Sequence, residues 1–268
     1  MTDRLVIFLH LPKAAGSTLN RVIAQQYPPE AIYKTGGKPR ETLLREVAEV
    51  TRPPSRIRLL TGHASFGLHT ALREDFTYIT VLRDPVERLL SHYHFARRLP
   101  GHPLHEAINS GQLGIREVAA QLGNLQTRYL ANEEPRNSGG PIDAATLEQA
   151  RGNLSSHFSV VGLAERFDET LVLLQRRLGW KVRSFTNSNV TRGRPARVAH
   201  SDDELAAIRT ASALDLDLYE WARARFEAVV AEEGADFQRE VAWLRLRNNA
   251  RDWGDRLLAS LRRKKQPS

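Results

Sequence analysis

Short apolar segments alternate with helix-like segments along most of the chain, and this alternation constrains the fold more than any other feature. Residues 5–11, 57–61, 78–82 and 159–165 are rich in Val, Ile and Leu and too short to be helices, which is typical of buried parallel strands. Helix-like segments follow several of them, at residues 18–27, 86–98 and 168–178. A repeated order of strand and helix predicts an α/β domain with a mostly parallel sheet.

The composition is that of an ordinary globular protein and excludes several classes. The chain has 268 residues, of which 41% are hydrophobic and 26% charged. It contains no cysteine, so disulfides and thiolate metal sites are excluded. No stretch approaches the roughly 20 apolar residues of a membrane span, and the first residues, MTDRLVIFLHLPK, resemble no targeting segment. We therefore expect a cytoplasmic protein without a transmembrane segment.

The net charge of +8 favours anionic partners, such as phosphorylated cofactors, acidic glycans, nucleic acids or membrane surfaces. The excess is uneven, because residues 234–268 carry nine Lys and Arg against four acidic residues, a net charge of +5. Most of the basicity therefore belongs to the C-terminal end and says little about a site in the domain.

The segment PKAAGST, residues 12–18, follows the first predicted strand and begins the first predicted helix. The first N–H groups of a helix have no intrahelical partner, and the helix dipole adds partial positive charge there, so small residues at that point allow an anion to approach. Lys13, Ser17 and Thr18 add a cation and two hydroxyls. The pattern is not a Walker A loop, because the lysine precedes the turn and only one glycine is present. A tight turn with an exposed lysine is the alternative.

The segment RDPVERLLSHY, residues 83–93, follows the third predicted strand. Asp84 and Pro85 form an N-cap and a first-turn proline, so Arg83 is expected at the carboxyl edge of the sheet, where open α/β folds bind ligands. Ser91 follows two turns into the helix. An arginine and a hydroxyl at this spacing can hold a second phosphate. A surface ion pair of Arg83 and simple packing of Ser91 are the alternative.

Together the two segments resemble the 5′-phosphosulfate loop and the 3′-phosphate motif of sulfotransferases that use 3′-phosphoadenosine 5′-phosphosulfate (PAPS), especially the family of heparan sulfate 2-O-sulfotransferases and their bacterial relatives. The resemblance extends over about residues 4 to 230, through NLQTRYLAN at 124–132, VVGLAERFDETLVLLQRRLGW at 160–180 and LDLDLYEWARARF at 214–226. It implies a P-loop-like three-layer sandwich with a central, mostly parallel sheet flanked by helices. It also implies PAPS as sulfuryl donor and no metal.

The resemblance assigns roles to particular residues. Arg83 and Ser91 would bind the 3′-phosphate. The 5′-phosphosulfate would be bound by the loop residues Lys13, Ala14, Ala15, Gly16, Ser17 and Thr18. Lys13 would also stabilise the leaving group. His63, just past a strand end, corresponds to the family's general base and would be neutral at physiological pH. The heparan enzymes have His-Gly-His here, whereas this chain has Thr61, so their exact acceptor is not implied.

A second basic region, residues 186–204, would close over the nucleotide as the corresponding family loop does. Arg192 and Arg194 are the predicted cofactor contacts, Arg197 is a third candidate, and a solvated basic loop is the alternative. The region ends at Ser201, a predicted N-cap of a helix over residues 202–232.

The chain divides into a predicted sulfotransferase domain, residues 1–232, and a basic helical extension, residues 233–268. Apolar positions in the extension are expected to pack on the domain, because Trp243 and Trp253 would otherwise be exposed. Contact with an anionic membrane or with a second subunit is the alternative.

These observations predict a PAPS-dependent sulfotransferase acting on a hydroxyl of a carbohydrate or glycan-like acceptor, without a nucleic-acid partner. Two alternatives stay open. One is a nucleotide-binding P-loop kinase-like enzyme, although the lysine loop is wrong for it. The other is a non-catalytic polyanion-binding protein that uses its basic extension and binds with a steep salt dependence.

Overall fold

The structure is a computed structural model that describes residues 4–133, 141–182 and 200–264; for residues 250–264 it describes only the helical backbone. Within these ranges five strands form one sheet, in the order β2-β3-β1-β4-β5, with every neighbouring pair parallel. The strands are β1 Leu5–Leu9, β2 Ile32–Lys34, β3 Leu59–Gly62, β4 Phe76–Leu82 and β5 Phe158–Leu163. The predicted parallel α/β sheet is confirmed.

Helices connect and flank these strands. They are α1 Gly16–Gln26, α2 Arg40–Val50, α3 Pro85–Arg98, α4 His105–Asn109, α5 Ile115–Leu122, α6 Leu125–Leu130, α7 Ala144–His157, α8 Phe167–Leu178, α9 Asp202–Ala211, α10 Ala213–Glu232 and α11 Gly234–Lys264. The chain moves from β1 outward to β2 and then back through β3 towards β4. Because crossovers between parallel strands are right-handed, α1 and α2 lie on opposite faces of the sheet. The predicted three-layer arrangement is therefore confirmed.

The central strands are buried, as their apolar sequences predicted. All five residues of β1 are buried, with between 0% and 2% of their surface exposed. Burial of such side chains contributes on the order of 2 kcal/mol each relative to an exposed position. β1 lies between β3 and β4, so the segments that follow these three strands emerge side by side from the most buried part of the sheet.

Two features differ from the sequence-based expectations. The short β2 and the helices α2 and α4–α7 were not predicted; β2 has only three residues and no apolar run. The single helix predicted over residues 202–232 is two helices, which meet at Ser212. Close packing accompanies this break, because a Cβ on Gly123 would lie 2.0 Å from the carbonyl oxygen of Ala211. The predicted N-cap is confirmed, since Ser201 forms a capping box with Glu204.

The beginning of α11 packs on the domain through one face. Phe237, Val241 and Leu244 are buried in the main core, with 0%, 1% and 4% of their surface exposed. The expectation that packing would cover Trp243 is wrong, because its side chain is 60% exposed, and that of Leu246 is 68% exposed. The side chain of Trp253, for which the same was expected, lies outside the described residues. The proposed domain boundary after residue 232 stays a prediction.

Candidate functional site

Three predicted site residues follow three adjacent strands. Lys13 lies in the turn after β1, His63 directly follows β3, and Arg83 directly follows β4. Because the strands are parallel, their carboxyl ends share one edge of the sheet, which is where open α/β folds bind ligands. Two contacts join the three segments: Arg83 Nη1 donates to Lys13 O at 3.1 Å, and His63 Nδ1 lies 2.7 Å from His10 O.

The turn before α1 has an unusual backbone. Lys13 and Ala15 adopt the left-handed region, with φ of 66° and 59°. This conformation costs an L-residue roughly 1–2 kcal/mol, so the surrounding contacts must hold the turn in shape. Left-handed residues beside right-handed ones aim successive N–H groups at one point and make a concave anion site. Ala14 N already donates to Leu11 O and Thr18 N to Ala15 O, so an anion would meet the N–H groups between them. Anion binding at the turn stays a prediction of the sequence.

Gly16 is required by a close approach of His10. A Cβ at Gly16 would lie 1.6 Å from His10 Nε2, so any side chain here displaces the imidazole. The His10 ring stacks on Phe8, with 5.3 Å between ring centroids, and lies tilted against the His63 ring, with 4.2 Å between centroids. Burial lowers the pKa of His10 to about 3, with smaller contributions from His63 and Lys13. His10 is therefore a neutral spacer between the turn and His63.

The protonation state of His63 follows from its hydrogen bond. A backbone carbonyl only accepts, so His63 Nδ1 carries the proton that it donates to His10 O, and the lone pair lies on Nε2. Burial lowers the pKa of His63; the hydrogen bond to His10 opposes this shift, and Lys13 adds to it. The imidazole is thus neutral at pH 7 and has the tautomer of a general base.

Cations gather around the turn. The Lys13 ammonium lies 3.9 Å from the centre of the Phe95 ring, and the Arg83 guanidinium lies 3.5 Å from Glu87 Oε2. Burial lowers the pKa of Lys13, and the nearby Arg83 and Arg98 lower it further. Because these cations repel one another, a bound anion would relieve their repulsion.

The remaining predicted residues differ in exposure and placement. Ser17 is exposed at the turn, whereas Thr18 is 1% exposed and faces the interior. Ser91 lies on the α3 face that carries Glu87 and Phe95, four residues away on either side, so it faces the same region as Arg83 and Lys13. Ala14 is buried beneath the turn. Arg192, Arg194 and Arg197 lie outside the described residues.

Sequence reasoning missed His10, Phe95 and Arg98. His10 had a recognisable signal, because it is a polar residue between an apolar strand and the lysine turn. Phe95 and Arg98 had none, since only the packing of α3 brings them to Lys13. The combination of a cationic turn and a neutral base suits transfer of an anionic group to a neutral acceptor.

The described ranges offer neither a metal-ion site nor a membrane-spanning helix. They contain no group of three or more His, Cys, Asp or Glu side chains arranged to hold a metal ion. No helix in these ranges has both the length and the apolar character needed to cross a bilayer.

Comparisons with known proteins identify the family. The model of the galactose-3-O-sulfotransferase family matches residues 2–253, which extends beyond the resemblance predicted from the sequence. Galactose-3-O-sulfotransferase 3 of Mus musculus is 31% identical over 265 residues, which cover 90% of this chain and 60% of that protein. Galactosylceramide sulfotransferase of Bos taurus is 28% identical over 268 residues, covering 91% of this chain and 62% of that protein.

The branch named by the sequence resemblance also matches. Heparan sulfate 2-O-sulfotransferase 1 of Xenopus laevis is 26% identical over 198 residues, which cover 66% of this chain and 55% of that protein. For the galactose-3-O-sulfotransferases that it matches, this chain spans about 60% of their length. The predicted membership of the sulfotransferases is confirmed, and the chain belongs to the galactose-3-O-sulfotransferase family.

Proposed function

We propose that this protein is an enzyme that transfers a sulfuryl group from PAPS to a hydroxyl of a carbohydrate acceptor, with a galactosyl residue as the first candidate. One observation carries the proposal: the cationic turn at Lys13, the arginine Arg83 and the neutral imidazole of His63 meet at one sheet edge. The names of the family and of its relatives, which concern galactose and galactosylceramide, support the acceptor class.

The residues present fit a doubly phosphorylated donor. The N–H groups at the start of α1 and the exposed Ser17 suit the 5′-phosphosulfate, whereas the side chain of Thr18 is buried and faces away from it. Arg83 and Ser91 suit the 3′-phosphate. In this assignment Lys13 stabilises the negative charge that develops on the 5′-phosphate as the bond to sulfur breaks, and PAPS supplies the transferable sulfuryl group.

His63 has the base role in this proposal. Its Nδ1 proton is donated to His10 O, so Nε2 is free to take the proton of an acceptor hydroxyl. A neutral imidazole also avoids adding a further positive charge beside Lys13 and Arg83. The protein's main contribution is then the positioning of donor and acceptor for in-line transfer.

The test combines donor binding with transfer. Sulfur-labelled PAPS is incubated with a panel of β-galactoside, galactolipid and heparan-type acceptors, and binding of 3′-phosphoadenosine 5′-phosphate (PAP) is measured by calorimetry. Lys13→Ala is expected to lose both transfer and most PAP affinity, whereas His63→Ala loses transfer but retains PAP binding. Lys38→Ala and His157→Ala are matched controls. The Lys38 ammonium pairs with Glu46 on α2, and the His157 ring lies against Phe76 at the amino end of β4, opposite the site edge.

The alternatives predict different results. A kinase-like enzyme would bind ATP with Mg²⁺ in preference to PAP. A polyanion-binding protein would bind heparin with a steep salt dependence that survives Lys13→Ala. Absence of detectable PAP affinity in the unaltered protein would refute the sulfotransferase proposal.

For the extension we propose peripheral contact with an anionic membrane through the exposed face of α11. Trp243 and Leu246 project from that face, and Arg247 stacks on the Trp243 ring with 4.7 Å to its centre. Aromatic and basic side chains together suit an anionic lipid surface. Co-sedimentation with phosphatidylserine vesicles, but not with phosphatidylcholine vesicles, is expected and should be lost with Trp243→Ala and Leu246→Ala combined. Equal binding to both vesicles would contradict the proposal.

Cytoplasmic location and self-association stay predictions of the sequence. Size-exclusion chromatography with light scattering would test self-association.

A further inference from the structure

A buried glutamine holds the backbone of Arg83. Gln126 is 0% exposed, and its side-chain amide makes two hydrogen bonds to that one residue. Arg83 N donates to Gln126 Oε1 at 3.0 Å, and Gln126 Nε2 donates to Arg83 O at 2.9 Å. The last paired residue of β4 is Leu82, so the amide supplies both backbone partners just where the sheet ends.

Gln126 is itself fixed by a buried carboxylate. Asp215, which is 0% exposed, accepts from Gln126 N at 3.1 Å, from Thr127 N at 2.7 Å and from Thr127 Oγ1 at 2.8 Å. A carboxylate at the first N–H groups of a helix is favourable, and α6 begins here. Arg88, also 0% exposed, lies 4.0 Å from Asp215 and balances its charge.

The same chain of contacts reaches the lysine turn. Arg83 Nη1 donates to Lys13 O, the carbonyl of a residue in the left-handed conformation. The position of the guanidinium therefore depends on the Arg83 backbone, and that backbone depends on Gln126. Removing the amide would leave the Arg83 N–H and C=O without partners in the interior and let the arginine move.

We propose that Gln126 is a positioning residue that sets the Arg83 guanidinium for binding of an anionic donor, with Asp215 holding Gln126 in register. This inference rests on the proposed function, in which Arg83 binds a phosphate of the donor. Gln126 touches no reacting atom and acts only through Arg83.

The test is a double-mutant cycle on PAP affinity, measured by calorimetry. Gln126→Leu is expected to raise the PAP dissociation constant about tenfold, on the order of one lost hydrogen bond to a charged group. In an Arg83→Ala background the same substitution should change the constant less than twofold, because the group it positions is gone. Gln126→Met fills a similar volume without the amide, and it serves for the cycle if the leucine variant does not fold.

A matched control separates positioning from general stability. Asn153 also donates its side-chain amide to a backbone carbonyl, that of Leu130 at the end of α6, at 2.7 Å. Asn153→Leu should lower the thermal midpoint and leave PAP affinity unchanged. An equal loss of affinity from the Gln126 substitution in both Arg83 backgrounds, or an equal loss from Asn153→Leu, would overturn the inference. Failure of the unaltered protein to bind PAP would instead refute the proposed function.

Discussion

The buried His10 makes the stability of the protein depend on pH in a way that can be calculated. Burial lowers its pKa in the folded protein to about 3, whereas the unfolded chain has the usual value near 6.5. Between these two values the unfolded state binds one more proton than the folded state. The free energy of unfolding therefore falls as the pH falls below about 6.5, and it is fully retained above that value.

The magnitude follows from the shift. Going from pH 6.5 to pH 5 crosses 1.5 units at roughly 1.4 kcal/mol each, so the His10 contribution falls by about 2 kcal/mol at pH 5. His10→Leu cannot titrate and should lack this part of the pH dependence. The leucine side chain is of similar length to the imidazole and still packs against Gly16, so the variant is expected to fold.

Urea unfolding at pH 7 and pH 5, followed by tryptophan fluorescence, measures the difference directly. The unaltered protein should lose about 2 kcal/mol more between the two pH values than His10→Leu does. His92, whose pKa burial lowers to about 4, titrates in both proteins and cancels in this comparison. Equal losses in the two proteins would show that His10 is accessible to protons when folded, and the account of the neutral spacer would be wrong.

Three further predictions concern the site and the extension. Gly16→Ala should abolish transfer, because its Cβ displaces the His10 ring that lies against His63. Gly152→Ala, which has open space around it in α7, should instead raise the free energy of unfolding by about 0.5–1 kcal/mol. Activity assays and urea unfolding of both variants check these expectations. The acid limb of the kcat/KM profile should lie below pH 6.5, because burial lowers the pKa of His63 and its base form persists until the pH falls through that lowered pKa. An acid limb at or above pH 6.5 would contradict the role of His63. Phe237→Ala should cost about 3–5 kcal/mol of unfolding free energy while Trp243→Ala on the same helix costs less than about 0.5 kcal/mol; similar costs would show that α11 does not pack as described.

The sequence was sufficient for four of the five strands and for the edge on which the site lies, because both depend on local signals. Apolar runs mark β1, β3, β4 and β5, and in a parallel sheet the residue after each strand is delivered to the same edge. Lys13, His63 and Arg83 could therefore be placed together before any contact was known.

The contacts that support these residues could not be predicted, because they depend on distant parts of the chain. Gln126 is 43 positions from Arg83, and Asp215 is a further 89 from Gln126. Both lie in segments that resemble the family, NLQTRYLAN and LDLDLYEWARARF, but the resemblance assigns neither residue a role, and a buried polar residue has no periodic signature. The short β2 and the break at Ser212 were missed for the same reason, since packing rather than local pattern determines them.

The shape of the lysine turn shows why local and distant contributions cannot be separated here. Lys13 and Ala15 both hold left-handed conformations that glycine would adopt more easily, so the turn is not the preferred shape of its own sequence. Arg83 holds Lys13 O from one side, and the His10 ring lies against Gly16 on the other. The turn is therefore stable only when β1 and β4 are already paired and α3 is in place. An isolated peptide of residues 9–23 should consequently bind phosphate no better than the separate charges of Lys13 and Arg21 allow, although it contains every residue of the motif.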